Sequence, residues 1–102
     1  MKTVYLASPF RGDYKRNQKF ARKALRYAIL QNTIPLAPHL LYPQVLDDNN
    51  PRERKLGLRL GLALIPLCDE VWVMGDTITE GMRGEINTAK DLRIPIRFIK
   101  EG

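Results

Sequence analysis

The chain has 102 residues, 44% of them hydrophobic, enough for one modest core in a single domain (residues 1–102) and too few for two. A formal charge of +6 favours anionic partners. No apolar run approaches the roughly 20 residues that span a bilayer, and a lone cysteine, Cys68, rules out an internal disulfide; a membrane protein and a disulfide scaffold are therefore excluded.

In chain order, Thr3-Val4-Tyr5-Leu6-Ala7 is a short run of strand formers, stopped by Ser8-Pro9. Because Met1 leads directly into it without a signal-peptide core, the expected location is cytoplasmic. Gly12-Asp13 offers a helix start with Asp13 as cap. From Tyr14 to Gln31, Phe20, Ala21, Ala24, Leu25, Ala28 and Ile29 form an apolar stripe, and Asn32 suits the C-terminal cap. The other face of this helix carries Lys15, Arg16, Lys19, Arg22, Lys23 and Arg26. The plain reading is a solvated face. The sharper one is nucleic-acid binding, which ranks last among the partners because no aromatic residues interleave the cations.

Thr33-Ile34-Pro35-Leu36-Ala37 reads as a second strand whose prolines confine it to a sheet edge. The stretch onward to Asn49 lacks periodicity and is expected to be a long loop of the kind that covers ligands. Asn50-Pro51-Arg52-Glu53 is a helix-start signal. The leucines that follow alternate as in a strand (56, 58, 60, 62, 64) and also fit a helical stripe; length and the start signal select a second long helix, ended by Pro66. Leucines all round it, with Gly57 and Gly61 four residues apart, predict a homo-oligomer, a dimer or tetramer, assembled through this helix.

Asp69 begins the next strand and is expected to be structural, at the far end of the sheet. Val71-Trp72-Val73-Met74 is a buried strand, Gly75 to Gly81 a turn, Met82 to Leu92 a helix, and Pro95 to Ile99 the last strand. Strands alternating with helices predict an α/β fold. It is a small flavodoxin-like or Rossmann-like parallel sheet, four strands in the order 2-1-3-4 with helices on both faces. The crevice then lies between the two central strands, at their C-terminal ends.

That placement gathers Ser8, Pro9, Phe10 and Arg11 after the first strand with Gly75, Asp76, Thr79, Gly81 and Met82 after the third; His39 and Tyr42 come from the covering loop. Glu85, early in the third helix, is the central candidate. A carboxylate at the edge of a sugar-sized crevice suits chemistry at an anomeric carbon, where the transition state is cation-like. A second group would protonate or hold the departing base, with Asp76, Glu80 and His39 as candidates in that order. Ordinary readings stand beside these: a solvated glutamate, a turn-forming Asp76 and a turn hydroxyl on Ser8. His39 has no second histidine or cysteine near it, so no metal site is expected. No cofactor is called for.

The pattern resembles the nucleoside 2-deoxyribosyltransferase-like superfamily. Val4-Tyr5-Leu6-Ala7-Ser8-Pro9-Phe10 is similar to its first strand and turn. Thr79, Gly81, Glu85, Ala89 and Ile94-Pro95-Ile96 resemble its Ser/Asp-x-Gly-x-x-x-Glu…Ala…Pro signature. The resemblance implies a glutamate nucleophile at Glu85 with Tyr5 beside it, assembly into oligomers, and a 2-deoxynucleoside or its 5-phosphate as ligand, the phosphate met by Arg11. The implied activity is cleavage or transfer of the N-glycosidic bond. Full transferases carry a further acid on the second helix, where this chain reads Leu60-Gly61-Leu62, and Thr79 stands where some have an aspartate. Both departures move weight from base exchange toward hydrolysis, or toward nucleotide binding without catalysis.

Overall fold

A computed structural model describes residues 1–100. Four parallel strands, β1 (Thr3–Ala7), β2 (Ile34–Leu36), β3 (Glu70–Met74) and β4 (Ile96–Ile99), lie in the order β2-β1-β3-β4, as expected. β2 is the edge strand, and Pro35 within it sits opposite Val4. Proline has no N–H for a ladder bond, so an edge is where it does least harm. The central register pairs Tyr5 with Val71 and Leu6 with Trp72. Asp69 works at the far end: its carboxylate accepts from the Thr3 amide at 2.8 Å, and its own amide donates to the Thr3 carbonyl.

Helix α1 (Tyr14–Leu30) starts at Asp13, whose side chain accepts from the Arg16 amide at 3.2 Å. Beyond its end Asn32 adopts the left-handed conformation, φ 62°. The 38–49 stretch is more ordered than its lack of periodicity predicts. It holds a four-residue helix, α2 (Pro38–Leu41), then a 3-10 turn over Tyr42–Gln44. Both begin with a proline in the first turn, whose fixed φ suits a helix start. Elements this short leave no repeat in the sequence.

Helix α3 (Pro51–Leu64) resolves the leucine ambiguity in favour of helix. Asn50 caps it, accepting from the Arg52 and Glu53 amides at 3.0 and 3.3 Å. Glu53 does not close a reciprocal capping box on Asn50; it accepts from the Asp47 amide at 2.9 Å and so pins the preceding loop. Helix α4 (Glu80–Asp91) begins two residues earlier than its apolar pattern indicates, because Thr79 caps it and accepts from the Met82 amide.

Side-chain alternation along the strands makes two cores. Val4, Leu6, Trp72 and Met74 pack with Ala24 and Ala28 of α1 on one face of the sheet. Tyr5, Ala7, Val71 and Val73 pack on the other with Ile65 and with Met82, Ile86 and Ala89 of α4. Cys68 joins this second core as a free, buried thiol, pushed up to about 11 first by burial and then by Asp69. Among the described residues no helix is long and apolar enough to cross a membrane.

Candidate functional site

A cavity of about 230 Å³ opens on the second face, walled by β1, α2, α3 and α4. Its volume falls below the roughly 300 Å³ at which common ligand clefts begin, so it suits one compact molecule. Tyr5 forms part of the wall, with Pro38 and His39 of α2, then Tyr42, Leu46 and Asp48. Gly57 and Gly61 of α3 and Glu80, Gly81 and Glu85 of α4 complete much of the remainder.

Glu85 is the decisive group. It is 4% exposed, and neither carboxylate oxygen has a hydrogen-bond partner. His39 Nε2 stands 3.5 Å from its Oε1, at ion-pair distance but without hydrogen-bond geometry. A buried polar group left unpaired costs about 1–3 kcal/mol, and more when charged. Such a cost persists at sites where a group must stay free for a ligand. Tyr5, 1% exposed, lies beside the carboxylate. Burial first, then the Glu85 charge and the approach of the hydroxyl to that carboxylate, push its phenol far above the ordinary tyrosine value, so the hydroxyl keeps its proton and remains a donor.

The imidazole of His39 is itself held by a ring: Phe10 stacks on it with centroids 5.1 Å apart and planes within 12°. Tyr14 meets Phe10 edge-on at 5.4 Å. Asp48 fixes the outer rim by accepting from the Tyr14 hydroxyl and facing Arg11 Nε at 3.7 Å.

Of the residues singled out from the sequence, Tyr5, Phe10, His39, Tyr42, Glu80, Gly81 and Glu85 come together on the wall. Ser8, Pro9, Arg11, Gly75, Asp76, Thr79 and Met82 lie outside it. Ser8 is buried and Pro9 half-buried at the end of β1. Arg11 is largely exposed and turned to Asp48. Asp76 is exposed on the turn, Thr79 is committed to capping α4, and Met82 is packed in the core. Gly75 takes φ 85°, and a Cβ there would come within 2.6 Å of the Phe20 ring. Its part is to let the chain turn under α1.

The glycine pair of α3 acts differently from the helix-to-helix contact expected of it. A Cβ on Gly61 would lie 3.2 Å from the Tyr5 hydroxyl, and one on Gly57 3.5 Å from Leu46. Both glycines therefore face the cavity of their own chain. Sequence reasoning also passed over Leu46, Asp48, Glu53 and Arg54 as wall residues. The proline starts at 38 and 43 and the capped start at Asn50 were the signals that this loop is folded back. Among the described residues no cluster of three or more His, Cys, Asp or Glu side chains is arranged to hold a metal ion.

Comparison with protein families matches residues 2–99 to a domain of unknown function, DUF7768. Comparison with curated proteins finds no match. Among solved structures the fold is similar to that of a 2-deoxyribosyltransferase from the psychrotolerant bacterium Bacillus psychrosaccharolyticus, described as a biocatalyst for nucleoside synthesis. The TM-score is 0.76 at 20% identity, over 98% of this chain and 74% of that one. At that identity the likeness is one of fold.

Proposed function

This chain belongs to the DUF7768 family, and we propose that its cavity binds a (deoxy)nucleoside and cleaves or transfers the N-glycosidic bond through Glu85. The observation that carries this reading is a carboxylate 4% exposed, free of hydrogen bonds, on the wall of a mostly apolar cavity. The fold shared with a 2-deoxyribosyltransferase supports it.

In the proposed reaction a Glu85 oxygen attacks the anomeric carbon. The carbon–nitrogen bond breaks, and its electron pair leaves with the base. The base takes a proton from the wall, where Glu80 and His39 are nearer to hand than the exposed Asp76. Water or a second base then attacks the same carbon and frees Glu85. Tyr5, as a standing donor, orients the carboxylate or the sugar oxygen. Four acids (Asp48, Glu53, Glu80, Glu85) against one arginine, Arg54, line the cavity, a balance that favours an uncharged nucleoside over its 5-phosphate.

The test is incubation with a panel of nucleosides and deoxynucleosides and their monophosphates, with and without an acceptor base. Base release or exchange that disappears in Glu85→Ala is expected. Absence of turnover across the panel, or turnover indifferent to Glu85→Ala, would discard the enzymatic reading.

A second reading, ligand capture without conversion, is favoured by one observation. Asp48 is engaged by Tyr14 and Arg11, and Glu53 by the Asp47 amide, so two of the wall's other acids are already occupied. Thermal stabilisation that saturates at one equivalent with the nucleoside recovered intact would select it.

Leu56, Leu58, Leu60 and Leu62 are 36–45% exposed along α3, and Leu58 and Leu62 also border the cavity. They support a homo-oligomer joined through this helix, testable by light scattering of wild type and Leu58→Lys/Leu62→Lys.

A further inference from the structure

Helix α1 holds six cations, Lys15, Arg16, Lys19, Arg22, Lys23 and Arg26, and no acid. The eleven cations elsewhere in the chain match its eleven acids, so the whole +6 surplus resides on this helix. All six side chains are exposed, and no ion pair within 4 Å engages any of them among the described residues. Lys15, Lys19, Arg22, Lys23 and Arg26, with Gln18, line an open groove of about 470 Å³. Lys15–Lys19, Lys19–Lys23 and Arg22–Arg26 are like charges one turn apart, an arrangement that destabilises a helix until an anion relieves it. This groove lies across the sheet from the Glu85 cavity.

We propose that this groove is a second binding site and that it takes the phosphate backbone of a nucleic acid, without reading its sequence. Three observations select that partner. Apart from Ile29 and Leu30 exposed at its C-terminal end, the apolar stripe of α1 is spent on the core, with Ala21, Ala24 and Ala28 buried, so this helix has no continuous apolar face to insert into a lipid interface. The lining contains no apolar side chain, whereas specific protein partners need an apolar centre. From position 15 to 26 the helix advances about 16 Å, roughly five phosphates at the rise of one B-form strand. Five cations stand along that length. With no aromatic residue in the groove to stack on a base, contact stays with phosphates. The sequence alone placed nucleic acid last among partners; the uncompensated charge and the spent apolar stripe reverse that order for this face.

The experiment is fluorescence anisotropy of the full chain with a labelled 20-base-pair duplex and a labelled 20-nucleotide strand of unrelated sequences, from 20 to 200 mM KCl. Binding is expected at 20 mM, equal across sequences. The logarithm of the duplex binding constant should fall with that of salt at a slope of about −4.5, five phosphates at −0.9 each. Lys19→Gln/Arg22→Gln/Arg26→Gln should shallow the slope by about 3 and weaken binding at least tenfold. That variant should melt no lower than wild type, since it removes repulsion. No binding at 20 mM, a slope near zero, or a variant that binds as wild type would overturn the proposal. So would polyglutamate displacing the duplex at equal charge, which would make any polyanion an equal partner.

Discussion

On one face of the sheet, α1 lays Ala24 and Ala28 against Val4, Leu6, Trp72 and Met74, and all of these are buried. On the other, α3 and α4 leave bare backbone at Gly57, Gly61 and Gly84 around Tyr5 and Glu85. The same central strands supply both surfaces, odd and even residues pointing opposite ways. The α1 face spends its small residues on closeness, since alanines let a helix approach large strand side chains. The α3/α4 face spends its small residues on space, and the space holds a buried carboxylate without a hydrogen bond. One half of the molecule is packed for stability. The other gives up stability around the cavity, the trade that the proposed ligand site would require.

The sharpest way to break that contrast is Glu85→Gln. Turnover should fall by about 10⁴-fold or more, as when a nucleophile is removed. The same change should raise the melting temperature, by about 4–8 °C for each kcal/mol recovered in a chain of this size. Activity and melting temperature measured on one preparation check both; a melting temperature that falls would mean the carboxylate is stabilising after all.

Gly75→Ala attacks the packed side. A Cβ there would meet Phe20 at 2.6 Å and hold a left-handed φ. Urea unfolding should show a loss of about 1–3 kcal/mol, while the folded fraction keeps its ligand affinity. Gly61→Ala, by contrast, should leave stability within about 1 kcal/mol, because helix propensity gained offsets crowding. It should cut turnover about tenfold by moving the Tyr5 hydroxyl, less than the hundredfold that a 1 Å misplacement brings.

The smallest expected effect concerns pH. Glu70 is buried, and the Lys2 ammonium at 2.7 Å, then the Trp72 indole at 2.9 Å, hold its carboxyl below the ordinary glutamate range. A depressed folded value means stability that is present at neutral pH and lost as acid titrates the folded carboxylate. Melting curves between about pH 5 and about pH 3 should therefore fall less steeply for Glu70→Gln than for wild type. Lys2 is two-thirds exposed and screened by solvent, so the difference should stay under about 1 kcal/mol.

The packed face was the more legible from sequence. Strand formers, capping Asp13 and Asn50 and the edge-seeking Pro35 are local signals, and they fix sheet order and the direction of each crossover. The cavity face was legible at its floor, through Tyr5, Phe10 and Glu85, and only in part at its roof, through His39 and Tyr42. Leu46 and Asp48 follow a four-residue helix and a single 3-10 turn, which are too short for hydrophobic period to reveal, and Arg54 sits in the first turns of α3 among residues read only as a helix start. The turn after β3 misled in the opposite sense. Asp76 and Thr79 have the right chemistry, but one sits in solvent and the other is used to start α4. Gly57 and Gly61 were read as a surface for another helix because sequence shows an absent side chain without showing what fills the gap.

Trp72 is the chain's sole tryptophan, and it belongs to the α1 side, tilted against Tyr27 and lying under the Arg97 guanidinium at 5.3 Å. Its emission therefore watches only one half of the protein. A molecule entering beside Glu85 should leave the tryptophan emission unchanged, with only Tyr5 and Tyr42 placed to sense it, while loosening of α1 should register at once. Titrations of the cavity need a calorimeter or a labelled ligand, because an empty and a filled cavity should give the same tryptophan signal.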